Sequence, residues 1–404
     1  MQIVRWLSLG LVVLLAACAR EAAAPLDHEA YIWQRQWTPA LAASLATMRG
    51  DFAGWRVLAA ESNADGGLVD ALPQLDLLAR SGKPVIAVLR LNGSRPPPAA
   101  DAIARRIADI AKTWRDAGVP LSGIEIDHDC ATAQLDAYAG LLAQLRARLP
   151  AGLRLSITAL PTWIGAPALA RLLGEVDASV LQVHAIAAPR AAAGDAGLFD
   201  AAQARRWIDG YAAVAAKPFR VALPAYGLRV GFDDDGRAVA VEGEMDHAID
   251  AERKRELRVD PREVAALLGG LKRAHSALLV GAVWFRLPSA DDRRAWSMAT
   301  LHAVIAGATL DADFAARAQA TGEGAVDIVL ANRGTLDAPP PAAIDVAAKD
   351  CAAADALAGF RLEKTGEGWQ FFPTADAILR AGRERRIGWV RCASIEKVSV
   401  HVYP

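Results

Sequence analysis

The sequence predicts an α/β protein with a (β/α)8 TIM barrel and a small C-terminal antiparallel β-sandwich. Eight short apolar or β-branched runs alternate with helical patterns over about 280 residues, which is a usual length for such a barrel. No glycine-rich phosphate loop follows the first run, which weakens the competing prediction of a doubly wound open sheet. Beyond residue 306, short strand-like runs lie between turn residues, as is typical of a sandwich.

Each predicted strand is short and precedes a stretch with helical spacing. The clearest helical spacing is that of Ile103, Ile107 and Ile110 within residues 99–116. A proline at position 261 indicates the start of a later helix. The eight predicted strands are 31–33, 56–60, 85–91, 123–129, 153–160, 180–184, 220–224 and 280–286.

These elements divide the chain into a barrel domain, 29–306, and a sandwich domain, 307–404. The barrel carries a long insertion, 228–260, between its seventh strand and the following helix. Asp235 and Gly236 in this insertion predict the turn of a β-hairpin. A calcium loop is the alternative, but the spacing to the downstream glutamate does not fit one.

The N-terminus resembles a bacterial lipoprotein signal. Arg5 precedes an apolar core of about eleven residues, which is too short to span a bilayer. The segment 1–18 ends in Leu-Ala-Ala-Cys, which resembles a lipobox and implies lipidation of Cys18. An ordinary signal peptide with an incidental cysteine is the alternative. Residues 19–28 then form a tether, and alanine at position 19 favours the outer membrane, facing the periplasm.

Composition excludes some classes of function. The formal net charge is −1 and no basic run is present, so nothing indicates nucleic-acid binding. No cofactor or metal is expected, and a monomer is expected. Cys351 and Cys392 are predicted to form a disulfide in an oxidising compartment, and Cys130 is predicted to be a buried thiol.

The segment 121–129 carries the strongest functional signal. Side chains alternate along a strand, so Glu125, Asp127 and Asp129 share one face. Three like charges on one face of an apolar strand are costly when buried, because repulsion and desolvation both oppose ionisation. A fold usually keeps such an arrangement where it is used.

Further polar and aromatic residues follow other predicted strands. Because barrel active sites lie at the carboxyl ends of the strands, we expect these side chains to converge at one mouth. Amides, acids and aromatic rings together suit a polyhydroxylated carbohydrate ligand. The candidate substrate-binding residues are Glu61, Arg90, Trp163, Gln182, His184, Tyr226, Trp284 and Arg286.

The acidic strand resembles the signature of family 18 glycoside hydrolases, the chitinase-like barrels. Gly123, Glu125 and Asp127 match that signature, whereas Asp129 stands where the family has a catalytic glutamate. The segment 223–227 resembles the family's seventh strand, and the insertion follows where many members carry a subdomain. The resemblance implies that Trp284 forms the floor of the sugar site.

The whole chain is more similar to bacterial lipoproteins catalogued as domain of unknown function 3142. The likeness lies in the aspartates of the fourth strand and in the run Leu-Ser-Ile-Thr-Ala-Leu-Pro-Thr-Trp at 155–163. That family implies no particular activity.

Three functional hypotheses follow. In the first, a glycoside hydrolase of retaining or substrate-assisted type uses Asp129 as general acid, Asp127 to stabilise the transition state, and Glu125 to hold Asp127. In the second, a lipoprotein binds carbohydrate without hydrolysing it. In the third, Asp127 and Asp129 bind a metal with His128 or His184, although His128 is expected to point away from the aspartates.

Structural interpretations of the same residues remain open. Glu125 could only pair with a barrel arginine such as Arg90. His184 could be a hydrogen-bonded core histidine, and Trp163 and Trp284 could only pack.

Overall fold

The computed structural model describes residues 24–63, 65–185, 198–242, 251, 253–321, 325–357, 359–366, 368–374 and 378–401. Eight parallel strands form a closed barrel, because the first strand pairs with both the second and the last. A short antiparallel strand, β3 (Leu68–Asp70), extends β2 at its carboxyl end. The barrel strands are β1 (Asp27–Ile32), β2 (Gly54–Ser62), β4 (Val85–Leu91), β5 (Leu121–His128), β6 (Arg154–Ala159), β7 (Ala178–Gln182), β8 (Phe219–Pro224) and β12 (Leu279–Phe285).

A helix follows each barrel strand. In the third helix Ile103, Ile107 and Ile110 are buried against the barrel, as their spacing predicts. Asp260 caps the helix that begins at Pro261 by accepting from the Arg262 amide. The helices are α1 (Pro39–Thr47), α2 (Leu75–Ser81), α3 (Ala100–Asp116), α4 (Leu135–Arg146), α5 (Pro167–Gly174), α6 (Ala201–Ala212), α7 (Pro261–Arg273) and α8 (Met298–Ala306).

The predicted (β/α)8 barrel is confirmed, and the C-terminal strands, predicted to be an antiparallel β-sandwich, hydrogen-bond into one antiparallel sheet. One boundary differs: Asp27 and His28, predicted as the end of the tether, belong to β1, since Asp27 and His28 pair in register with Gly281 and Ala282. Among the described residues no helix is long and apolar enough to cross a membrane. The predicted signal segment and Cys18 lie outside the described residues.

The insertion is a small antiparallel sheet, where the sequence predicted a hairpin. Its strands β9 (Gly227–Phe232), β10 (Ala238–Glu242) and β11 (Arg253–Arg258) pair in the order β10-β9-β11. The predicted turn joins β9 and β10: the Asp233 carboxylate accepts from the Arg237 amide at 2.8 Å. Gly236 has a φ of 73°, a left-handed conformation that favours glycine.

The C-terminal strands hydrogen-bond into one six-stranded antiparallel sheet, in the order β13-β14-β18-β15-β17-β16. Its separate core includes Ile328, Ile344, Phe371 and Ile387. Gly388 lies against the Phe371 ring, so a side chain there would collide with it. The strands are β13 (Phe314–Ala320), β14 (Val326–Asn332), β15 (Ala343–Ala356), β16 (Phe360–Thr365), β17 (Gly368–Pro373) and β18 (Arg383–His401).

The predicted disulfide is present and joins the two longest strands of this sheet. Cys351 on β15 lies opposite Cys392 on β18, at a sequence separation of 41. The predicted free thiol, Cys130, is buried.

We expect replacement of both disulfide cysteines, Cys351→Ala with Cys392→Ala, to lower the free energy of unfolding by about 4 kcal/mol, since the cross-link restricts a long loop of the unfolded chain. Chemical denaturation measures this change. Reduction of the parent protein is the matched control and should give the same loss. An unchanged unfolding midpoint in the variant would contradict the prediction.

Candidate functional site

Pairing register brings three charged side chains together at the mouth of the barrel. Arg90 on β4 lies between Glu61 on β2 and Asp127 on β5. The Arg90 Nε atom is 3.9 Å from the Asp127 Oδ2 atom. On the other side, the Thr158 hydroxyl of β6 donates to Asp127 Oδ1 at 2.6 Å. Asp127 is therefore a buried carboxylate held from both neighbouring strands.

Asp129 follows the end of β5 and is exposed at the mouth. Burial, followed by repulsion from Asp129, raises the pKa of Asp127 to about 7. Asp129 reaches solvent, but partial burial against the barrel wall raises its pKa as well. The Arg90 cation opposes the upward shift at both aspartates. Repulsion between the two carboxylates disfavours double ionisation, so the coupled pair keeps one proton up to about pH 7.

Below this pair lies a buried network of ion pairs. Glu125 has no solvent exposure and is bound by the Arg56 guanidinium, while the Tyr31 hydroxyl donates to its Oε1 atom at 2.7 Å. The Arg56 Nε atom donates to Glu29 at 2.7 Å, and Arg220 lies 3.0 Å from the same glutamate. Two arginines thus face two glutamates inside the barrel.

The charges of this network oppose the effect of burial. Burial raises the pKa of Glu125, and Arg56 counteracts this shift. Burial acts on Glu29 in the same direction, but the cations of Arg56 and Arg220 outweigh it and lower its pKa. Gly281 leaves room for the Arg220 guanidinium, which a side chain at that position would meet.

Aromatic side chains form one wall of the mouth. The Phe285 ring lies 5.5 Å from the ring of Trp33 and 5.9 Å from that of Tyr31. The rings of Tyr226 and His184 are each 5.5 Å from Phe285. Arg90 extends over the Trp33 ring at 5.8 Å, so this aromatic wall lies beside the carboxylates.

His184 is buried in this wall with one nitrogen unsatisfied. Its Nδ1 atom lies 3.2 Å from the Tyr226 hydroxyl, whereas its Nε2 atom has no hydrogen-bond partner. Burial lowers the pKa of His184 to about 3, so the ring is neutral at physiological pH. Burial also raises the pKa of Tyr226. The Nε2 atom is itself closed to solvent, so His184 belongs to the interior of the wall.

Two predicted substrate-binding tryptophans are not at the mouth. Trp284 has no solvent exposure, and its indole donates to the His28 ring at 3.1 Å. Trp163 has none either, and its indole donates to the Cys130 carbonyl at 3.0 Å. The prediction that Trp284 forms the floor of a sugar site is wrong, because Trp284 points outward from β12 and its neighbour Phe285 points inward.

Glu125, predicted as catalytic, is sealed below the mouth and cannot touch a ligand there. It is bound by Arg56 and Tyr31 and does not hold Asp127 as predicted. The sequence also left open that Glu125 only pairs with a barrel arginine such as Arg90. Glu125 does pair with a barrel arginine, which is Arg56.

The remaining predicted residues differ in access. Gln182 is half-buried, and its amide donates to the His184 carbonyl at 3.1 Å. Glu61 reaches solvent but is bound by Arg35 through two hydrogen bonds of 2.6 Å. Arg286 is buried, pairs with Asp292 at 2.9 Å, and covers the Tyr226 ring. Arg286 therefore supports the wall rather than lining it.

The arrangement around His128 does not support the metal hypothesis. His128 points outward, 5.0 Å from the Tyr138 ring, and Asp127 points inward. In the described part of the chain, no three His, Cys, Asp or Glu side chains are grouped so that they could hold a metal.

Sequence reasoning missed several residues of the site. Trp33 ends the first predicted strand, so its place at the mouth could have been inferred from that position. Phe285 could not, because β12 is apolar on both faces. Thr158 lay in the predicted fifth strand without a distinguishing motif.

The fold and the site define a parallel barrel whose mouth combines two carboxyl groups with an aromatic wall. The chain belongs to the family described as Domain of unknown function (DUF3142), whose model matches residues 81–290. A second model, Domain of unknown function (DUF8456), matches residues 315–393. The resemblance to the first family, predicted from the sequence, is confirmed. Comparison with curated proteins gives no match.

Three solved structures illustrate the similarity to known folds. The Bacillus cereus spore cortex-lytic enzyme SleL is 14% identical, with 72% of this chain and 76% of that chain covered and a TM-score of 0.48. A chitinase from Chromobacterium violaceum is 16% identical, with coverages of 66% and 95% and a TM-score of 0.45. A chitinase from Bacteroides thetaiotaomicron is 12% identical, with coverages of 65% and 90% and a TM-score of 0.47.

We expect Arg56→Met to lower the free energy of unfolding by about 3–5 kcal/mol, because it leaves the buried Glu125 carboxylate without its cation and Glu29 with Arg220 alone. Adding Glu125→Gln should recover part of this loss. Arg80→Met, at an exposed ion pair on α2, is the matched control and should change stability by less than about 1 kcal/mol. Equal losses for the two arginine variants in chemical denaturation would contradict the prediction.

Proposed function

We propose that the barrel mouth binds a carbohydrate chain and hydrolyses a glycosidic bond. The observation that carries this proposal is the pair of carboxyl groups at Asp127 and Asp129, both with raised pKa values, beside an aromatic wall. Glycoside hydrolases usually use two carboxyl groups, one of which has a raised pKa and donates a proton. Aromatic faces pack against sugar rings, and Phe285 is a partly exposed ring of this wall.

In the proposed reaction, Asp129 donates a proton to the leaving glycosidic oxygen. Asp129 is the member of the pair that solvent and ligand reach, so it delivers the one proton that the coupled pair keeps up to about pH 7 and leaves Asp127 ionised. Asp127, fixed by Thr158, stabilises positive charge as the sugar develops oxocarbenium character. If the substrate carries an N-acetyl group, Asp127 orients it.

Binding without hydrolysis is the second candidate function. The side chain of aspartate at position 129 is about 1.5 Å shorter than that of glutamate, and a proton donor must lie within hydrogen-bond reach of its acceptor. The aromatic wall serves either function. A turnover measurement distinguishes hydrolysis from binding alone, because a binding protein leaves its ligand chemically unchanged.

The location of the protein is part of the proposal. Lipidation of Cys18 would tether the barrel to the outer membrane, facing the periplasm, by acyl chains. Envelope polysaccharides are within reach of such an anchored protein. Mass spectrometry of the membrane fraction tests this step, and a mature chain that begins elsewhere than Cys18 and lacks acyl chains overturns it.

We expect Asp129→Asn to reduce glycoside hydrolysis by at least about a hundredfold without unfolding the protein, because the amide cannot donate the required proton. Reducing-end release from an oligosaccharide panel provides the measurement. Asp136→Asn, at an exposed ion pair on α4, is the matched control and should retain parent activity. Equal rates for the parent and Asp129→Asn on the same oligosaccharide would refute the assignment of Asp129.

We expect hydrolysis to fall as pH rises through about 7, since the proton shared by Asp127 and Asp129 is then lost. Arg90 lowers both pKa values, so Arg90→Gln should move this alkaline limb to higher pH. Rates measured from about pH 4 to pH 9 test the direction. Arg80→Gln serves as control, with an unmoved profile. A shift of the Arg90→Gln limb to lower pH would contradict the prediction.

A further inference from the structure

Asp129, the proposed proton donor, lies just beyond the end of its strand. The last residue of β5 is His128, which pairs with Leu91 on β4. On the other side of β5, the pairing with β6 ends at Ile126. Both ladders thus end before Asp129, so contacts other than strand pairing must hold its backbone.

The first of these contacts is a close approach of Gly93, in the loop after β4. A Cβ atom at position 93 would lie 2.0 Å from the carbonyl oxygen of Asp129 and 2.4 Å from its carbonyl carbon. Only glycine allows two backbones to lie this close. The loop is fixed to the end of β2, because the Asn92 amide donates to the Ser62 hydroxyl at 2.7 Å. One side of the Asp129 backbone therefore packs against an anchored loop.

The second contact comes from Trp163, which follows β6, the other neighbour of β5 in the barrel. The indole Nε1 atom donates at 3.0 Å to the carbonyl of Cys130, the residue after Asp129. Beside it, the Thr132 hydroxyl donates to the Thr162 carbonyl at 3.2 Å. These two hydrogen bonds join the loops after β5 and β6. Trp163 has no solvent exposure, so water does not compete for the indole.

The segment that ends in Trp163 also holds the other carboxyl group of the pair. Thr158, earlier in the same run, donates to Asp127 Oδ1 at 2.6 Å. A single turn of 3-10 helix, Pro161–Trp163, follows β6 and brings the indole to the Cys130 carbonyl. Residues 158–163 therefore bind Asp127 through its side chain and hold Asp129 through the backbone of its neighbour.

We propose that Gly93 and Trp163 are positioning residues that hold the Asp129 carboxyl group beside Asp127. Neither has a side chain that reaches a ligand, since Trp163 is sealed from solvent. Aspartate has one methylene group between its backbone and its carboxyl group, so a shift of the Asp129 backbone moves the carboxyl group with it. A proton donor must lie within hydrogen-bond reach of its acceptor, so hydrolysis depends on where this backbone is held. The catalytic part of the inference rests on the proposed function, whereas the contacts around Asp129 do not.

Displacement of Asp129 has an electrostatic signature that a general loss of packing lacks. Burial, followed by repulsion from Asp129, raises the pKa of Asp127 to about 7. If Asp129 moves away, the repulsion weakens, while the burial of Asp127 and its hydrogen bond from Thr158 remain. The pKa of Asp127 should then fall.

Carbon-13 NMR titration of the full chain, with labelled aspartate carboxyl groups, measures this signature, and Asp127→Asn and Asp129→Asn assign the two signals. Gly93→Ala forces the two backbones apart, and Trp163→Phe removes the indole donor but keeps an aromatic ring. We expect each variant to lower the upper titration midpoint of the pair by at least about half a pH unit. Each should also lower kcat at least about tenfold and change KM less than about twofold, because neither residue binds substrate.

Gly140→Ala and Trp55→Phe are the matched controls. A Cβ atom at Gly140, on α4, meets nothing within 4 Å. Trp55 is buried near the start of β2, at the end of the barrel opposite the mouth, and its indole donates to the Ser81 hydroxyl at 3.2 Å. Trp55→Phe should lower stability much as Trp163→Phe does, while both controls keep the titration midpoint and kcat of the parent.

An unchanged upper midpoint in Gly93→Ala overturns the role of Gly93, and an unchanged midpoint in Trp163→Phe overturns that of Trp163. Equal shifts in the controls assign the effect to general loosening and overturn both roles. Gly93 lies in a loop that reaches solvent, so Gly93→Ala should fold even if Trp163→Phe does not. The titration needs no substrate. Shifted midpoints in a protein that hydrolyses nothing would therefore refute the proposed function and still support the positioning of Asp129.

Discussion

The buried contact between Arg56 and Glu125 is the interaction on which the barrel interior depends. It joins β2 to β5 across the interior, and Glu29 and Arg220 extend it to β1 and β8. A charge sealed in the barrel is tolerable only with its partner, because desolvation of a lone ion costs several kcal/mol. Removal of either member leaves the other buried without its partner. The network therefore favours the pairing register of these four strands that brings the opposite charges together.

The barrel mouth lies directly above this buried network of ion pairs. Glu125 and Asp127 are two residues apart on β5, so the first faces Arg56 below while the second lies in reach of Thr158 and Arg90 above. Arg56 compensates the charge of Glu125, whereas Asp127 is stabilised by the Thr158 hydroxyl and by the half-exposed Arg90, 3.9 Å away. The same strand thus carries a structural carboxylate and, one step higher, a carboxyl group that keeps its proton to about pH 7.

Much of the fold could be predicted because hydrophobic periodicity is local. The strand Val85–Leu91 was predicted to the residue, and the acidic face of β5 followed from alternation alone. Contacts between segments that are distant in the sequence could not be predicted from local periodicity. Arg56 and Glu125 are 69 residues apart, and nothing near either one identifies the other. The alanine-rich half of β15 becomes a strand only because β18 pairs with it.

The error at Trp284 has a related cause. Parallel barrel strands are buried on both faces, so β12 lacks the alternation that separates inside from outside. The resemblance to a chitinase-like barrel favoured the tryptophan, whereas the fold turns Phe285 inward. Arg286 then follows, and Asp292 binds its guanidinium. Because Asp292 compensates the charge of Arg286, Arg90 is the cation that lowers the pKa values of the two aspartates against the effect of burial.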